Sequence, residues 1–125
     1  MQYMFFLPQR KFMEQKELFL NVDDRLMLQR IKQNVQEIEA DAEVWLYGSR
    51  ARQDARRDSD WDVLVLSSKP KLTFQEEEAF MDHICDLMVE TGQVIQLFAY
   101  GKQDWHTHHV VTPFYQNVQT DAIRL

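Results

Sequence analysis

The sequence predicts an α+β fold, a small mixed β-sheet flanked by helices. Three observations lead to it. Two stretches, 23–40 and 73–91, repeat apolar residues at intervals of three and four. Three short runs, 43–47, 61–66 and 94–100, are rich in β-branched and aromatic residues. The order is helix, strand, strand, helix, strand, then helices again. A chain of 125 residues fits one domain, 1–125, able to bury roughly 65–70% of its unfolded surface.

Each element has a local reason. Residues 1–20 mix aromatic and charged side chains in neither period, and no role is assigned to them. Asn21, Asp23 and Asp24 can cap a helix whose residues Leu28, Ile31, Val35 and Ile38 share one side. Glu43-Val44-Trp45-Leu46-Tyr47 is β-prone and stops at Gly48, and Trp61 to Leu66 forms a second such run; both are expected as buried strands. Between them, Ser49 to Ser59 is too polar for core and reads as a short helical turn followed by a loop. Lys69-Pro70-Lys71 breaks the chain. Thr73 then caps a long helix with Phe80, Ile84, Leu87 and Met88 on one face, ended by Thr91-Gly92. Val94 to Tyr100 is expected as a third buried strand with one polar interruption, Gln96, closed by Gly101. A short helix around Gln103 to His109 follows, and Thr112-Pro113 supplies cap and first residue for a last helix through about Gln119.

Composition narrows the classes of function. Hydrophobic residues make up 45% and charged residues 27%, values of an ordinary globular chain rather than a disordered or fibrous one. The net charge of -6 argues against a general electrostatic grip on nucleic acid, so any nucleotide has to be held locally. The single cysteine, Cys85, excludes an internal disulfide and suits a reducing compartment. The opening Met1-Gln2-Tyr3-Met4-Phe5-Phe6-Leu7-Pro8 is too short for a signal core and lacks a basic lead-in, and no run approaches the ~20 apolar residues that span a bilayer. A cytoplasmic protein that does not insert into membranes is expected.

Two short motifs carry the chemistry. Gly48-Ser49 stands at the end of one apolar run and Asp60-Trp61-Asp62 at the start of the next. Asp60 and Asp62 are two apart, so on a strand both side chains point to one face. Carboxylates that close resist double ionisation unless a cation neutralises them, and hard oxygen ligands favour Mg²⁺ or Mn²⁺. Magnesium usually takes one or two carboxylates and completes its shell with water and substrate phosphates. Gly48 lets a phosphate approach the main chain, and Ser49 adds a hydroxyl and an N–H at a turn. Arg50 and Arg52 can add charge-assisted hydrogen bonds to the same phosphates. Taken alone, each pair reads as an ordinary turn or a solvated strand end; their spacing gives them joint meaning.

The stretch Tyr47-Gly48-Ser49-Arg50-Ala51-Arg52 with Asp58-Ser59-Asp60-Trp61-Asp62-Val63 resembles the minimal nucleotidyltransferases of the DNA polymerase beta superfamily, whose signature is Gly-Ser, about ten residues, then Asp-x-Asp. Thr112 to Val118 resembles a segment near the end of some stand-alone members. The resemblance implies a nucleotidyltransferase (polymerase beta-like palm) fold and transfer of a nucleoside monophosphate from a nucleoside triphosphate, ATP first among them, to a hydroxyl acceptor. Asp60 and Asp62 would be the catalytic, metal-binding residues, and Gly48, Ser49, Arg50 and Arg52 would bind the nucleotide. In families of this length the acceptor is often a partner protein of the small helical HEPN type, with the transferase as its antitoxin; a homo-oligomer is also compatible. Aminoglycoside modification is disfavoured, because related drug-modifying enzymes usually carry a further helical domain.

The chain departs from that pattern twice. Gln53 stands where the family often has glycine. Many active members also place a third carboxylate on the following strand, and here that strand offers only Gln96. A missing general base costs roughly 10²- to 10⁴-fold in rate, which keeps a catalytically weak or inactive nucleotide- or partner-binding protein in view; Asp86 or Glu90 on the preceding helix are the candidates to compensate. Arg56 and Arg57 read as solvated loop, and His106, His108 and His109, outside any metal-ligand spacing, as solvated helix residues. Cys85 reads as a small core residue, and Trp105, Phe114 and Tyr115 as packing the tail onto the sheet.

Overall fold

Helices α1 (Val22–Ile38), α2 (Ser49–Arg52), α3 (Phe74–Thr91), α4 (Lys102–His108) and α5 (Pro113–Asp121) are interleaved with strands β1 (Glu43–Tyr47), β2 (Trp61–Ser67), β3 (Ile95–Gly101) and β4 (Ile123–Arg124) in a computed structural model that describes residues 22–125. The sequence reading of 1–20 lies outside the described residues. The four strands form one sheet in the order β3-β2-β1-β4. β1 runs antiparallel to both β2 and β4, whereas β2 and β3 are parallel and joined by the α3 crossover. The sheet is therefore mixed, as the order of elements predicts.

The period-2 alternation of the strands divides the interior in two. On one face, Val44, Leu46, Trp61, Val63, Val65, Ile95, Leu97 and Ala99 pack with Met27, Ile31 and Val35 of α1 and with Phe80, Ile84 and Leu87 of α3. On the other, Leu64 and Leu66 pack with Trp105 of α4 and with Tyr115 and Val118 of α5, bordered by Tyr47, Tyr100 and Phe114. The tail aromatics thus cover the sheet as their composition suggests. Thr73 caps α3 through a complete capping box with Glu76, an arrangement worth about 1 kcal/mol, and Gly92 (φ +72) ends the helix.

Two expectations are corrected and one unforeseen strand is added. β3 is an edge strand and alternates: Ile95, Leu97 and Ala99 are buried, but Gln96 and Phe98 are exposed, and Val94 precedes the strand at 55% exposure. A run of apolar letters cannot tell a central strand from an edge with one covered face. Cys85 is exposed, because Ile84 and Leu87 take the core face of α3 and the next residue after Ile84 is turned about 100° away. β4, two residues long, gives no periodic signal and exists through its pairing with β1. Among the described residues no helix is long and apolar enough to cross a membrane.

Candidate active site

The antiparallel register sets Tyr47 at the end of β1 opposite Asp62 near the start of β2. The chain leaves β1 through Gly48, whose φ of 77° and ψ of -157° lie in a region that is nearly glycine-only. A Cβ placed on Gly48 would stand 2.3 Å from Asp62 Oδ2, so the carboxylate rests directly against the glycine backbone. Two independent demands, backbone and space, fix glycine here. Ser49 then opens α2; Gly48 O accepts from Arg52 N at 3.0 Å and Ser49 O from Asp54 N at 3.0 Å. The turn closes on Gln53 in the left-handed conformation, φ 63° and ψ 31°. That conformation costs a side chain about 1–2 kcal/mol and explains the glycine often found there in the similar family.

Asp60 lies just ahead of β2 and Asp62 within it, separated by Trp61, which turns into the first core. Among the described residues neither carboxylate makes a hydrogen bond or an ion pair. Asp62 is held above the usual carboxylate range by burial and by the negative charge of Asp60, with Arg52 acting in the opposite direction. Burial and the charge of Asp62 also push the neighbouring Tyr47 phenol up, so it stays protonated. A half-buried carboxyl with a like charge beside it and no bonded cation lacks the neutralisation that such a pair normally has.

The arginines divide. Arg52 reaches over the rim, its Nη1 2.9 Å from Asp121 Oδ2 and its Nε 3.2 Å from Asp54 Oδ2, and about half of its side chain is open to solvent. Arg50, expected beside the phosphates, has its guanidinium turned inward onto the carbonyl oxygens of Arg57 and Ser59. Arg56 and Arg57 are exposed, as read. Gln96 pairs with Asp62 in the parallel β2–β3 register, placing its exposed amide beside the aspartate where the similar family often has a carboxylate. Asp86 and Glu90 cannot replace it: α3 covers the opposite face of the sheet, Asp86 is exposed there and Glu90 pairs with Arg30.

The histidines have other partners. His106 Nδ1 is 2.9 Å from the Tyr115 hydroxyl, while His108 and His109 lie 2.7 and 3.5 Å from the Asp104 carboxylate. Among the described residues no group of three or more His, Cys, Asp or Glu could hold a metal. Asp60 and Asp62 are two, the number that magnesium takes when phosphates and water complete its shell. Sequence reasoning missed Asp121, the partner of Arg52, because it lies 69 positions away with no local pattern to mark it.

The sequence profile described as nucleotidyltransferase domain matches residues 28–106, well over half of the chain and including both motifs. Among solved structures, the chain is similar to the crystal structure of a toxin–antitoxin MntA–HpeT mutant, with a TM-score of 0.53 at 15% identity over 77% of this chain and 69% of that one. It is also similar to a toxin–antitoxin crystallised with AMP-PNP, with a TM-score of 0.49 at 16% identity over 74% of this chain and 70% of that one. No curated protein sequence matches.

Proposed function

The chain belongs to the nucleotidyltransferase domain family and has its fold, and we propose that it moves a nucleoside monophosphate from a nucleoside triphosphate, with ATP the first candidate, to a hydroxyl on a partner protein. The observation that carries this reading is the seat of Asp62 against the Gly48 backbone, with Asp60 alongside and neither carboxylate paired among the described residues. A hard divalent cation, Mg²⁺ or Mn²⁺, fits these donors: two carboxylates, one of them half-buried and electrostatically unsatisfied, beside a backbone without a side chain in the way. Asp60 and Asp62 would hold it, and when bound it would supply charge neutralisation for the attacking and leaving oxygens.

The protein's own groups then position the substrate. Gly48 gives the phosphates access to the main chain, Ser49 offers a hydroxyl and an N–H, and Arg52 can exchange its exposed pairing with Asp54 and Asp121 for the triphosphate. The acceptor oxygen forms a bond to the α-phosphorus while the bond from that phosphorus to the β-bridging oxygen breaks, and pyrophosphate leaves. The acceptor's proton passes to solvent, because Gln96 cannot take it.

The toxin–antitoxin pairing of the similar structure supports a partner protein as acceptor, and the family resemblance points to a helical HEPN-type partner with this chain as its antitoxin. One lone, exposed cysteine is consistent with a cytoplasmic setting.

Gln96 motivates a second reading, a nucleotidyltransferase fold that binds nucleotide or partner without turnover. Incubating the purified protein with Mg²⁺ and triphosphates labelled at the α-phosphate, alone and with the helical protein encoded beside it, separates the two. Labelled acceptor and released pyrophosphate are expected, both lost in Asp60→Asn and Asp62→Asn. Tight metal-dependent nucleotide binding without product, with or without the partner, favours the second reading. Metal and nucleotide binding that survive both substitutions place the site elsewhere.

A further inference from the structure

We propose that Arg50 is a positioning residue that clamps the chain on both sides of Asp60 and thereby sets the relation between the two carboxylates; this deepens the reading of Asp60 and Asp62 given above and rests on it. Arg50 projects from α2, two residues beyond Gly48. Its Nε and Nη2 both donate to the Ser59 carbonyl, at 3.1 and 2.7 Å, and Nη2 also donates to the Arg57 carbonyl at 2.9 Å. The same guanidinium stacks over the Trp61 ring at 3.9 Å from its centroid. Asp60 thus has the backbone before it and the side chain after it fastened to one cation. Nη1 faces Asp24 Oδ1 of α1 at 3.8 Å, and only 9% of the side chain is exposed.

Trp61 is itself fixed from the segment that leads into β3. Its Nε1 donates to Gln93 Oε1 at 2.5 Å and its backbone N to the Val94 carbonyl at 2.9 Å. Ser59 closes the loop by donating its N–H to the Arg56 carbonyl at 3.1 Å and accepting the Arg56 N–H on its hydroxyl at 2.8 Å. The turn after Gly48, the Asp60 loop and the start of β2 are thus joined by one connected set of contacts.

The chemistry selects arginine. A planar fork can meet two carbonyls while its flat side lies on an indole, and an ammonium cannot do both. To bind a phosphate directly, Arg50 would have to leave three hydrogen bonds and a stacked ring. Groups that orient metal ligands without touching the metal typically contribute 10–100-fold in metal affinity or activity.

The test compares wild type with Arg50→Lys and Arg50→Gln. Backbone amide exchange of residues 57–61 is followed by mass spectrometry, and Mn²⁺ binding without nucleotide by electron paramagnetic resonance. Both variants are expected to melt cooperatively, to exchange faster over 57–61 and to bind Mn²⁺ about 10–100-fold more weakly. Unchanged exchange overturns the clamp, and faster exchange with unchanged Mn²⁺ affinity overturns its role in placing the carboxylates. Full Mn²⁺ affinity in both variants with a raised KM for the triphosphate makes Arg50 a phosphate ligand instead. Loss of the folded state in both overturns the proposal in favour of a general structural role. Failure of the underlying reading has a separate signature: Asp60→Asn and Asp62→Asn would then bind Mn²⁺ as wild type does.

Discussion

Asp62 carries its charge at a cost to the metal-free fold. Burial and Asp60 raise its folded pKa above that of the unfolded chain. Its contribution to stability is therefore fully present below the unfolded value and is lost as pH rises through the folded one. At neutral pH the ionised group opposes folding. Asp62→Asn should accordingly raise the melting temperature at pH 7.5 in chelator and give no gain at pH 3, and Mn²⁺ should raise the melting temperature of wild type but not of the variant. Thermal melts at the two pH values check this, and a variant that melts lower at pH 7.5 would count against it. Gly48, Asp60 and Asp62 could be singled out as candidates in the sequence because their spacing is local. Cys85 was not, since its exposure depends on which face of α3 meets the sheet. The inward turn of Arg50 depends on a loop that closes only in three dimensions.

The strand β3 decides how complete the site is. Its parallel register with β2 pairs Gln96 with Asp62, and Gln96 is exposed on this edge strand. Gln96→Glu keeps the shape of the side chain and adds a carboxylate beside the aspartates. If a missing base limits turnover, transfer of labelled nucleotide to the acceptor should rise by roughly 10²- to 10⁴-fold. An unchanged kcat would show that this position does not limit the reaction. Element boundaries were largely legible, because caps and glycines are local signals: Thr73 and Gly92 bound α3, and Thr112 with Pro113 opens α5. The place of β3 at the edge was not legible, since a strand with one face buried and one edge open differs from a central strand only in its neighbours. β4 lay below any sequence signal, with two residues and one partner strand.

The described residues form a sheet with a core on each face, and the candidate site lies on the face with the smaller core. Asp62 is on the same face as Leu64 and Leu66, which α4 and α5 cover through Trp105, Tyr115 and Val118. Trp105 is 1% exposed, so Trp105→Ala should cost about 3–5 kcal/mol. That is a large share of the roughly 5–15 kcal/mol that holds a domain of this kind together. Urea unfolding measures it, and a loss under 1 kcal/mol would mean that α4 and α5 are not integral to the core. The second face also brings Asp121 to Arg52 and so ties α5 to the turn that follows Gly48. By itself the sequence determined the fold class and the family, and it marked the candidate strand-end residues, because periodicity, caps and the spacing of Gly48-Ser49 from Asp60-x-Asp62 are properties of near neighbours along the chain. The tertiary structure alone decided that Asp62 sits against Gly48, that Arg50 holds the Asp60 loop and that Asp86 and Glu90 are out of reach. Those relations depend on strand order, register and which face each helix covers, and they are fixed by packing between segments that the chain keeps far apart.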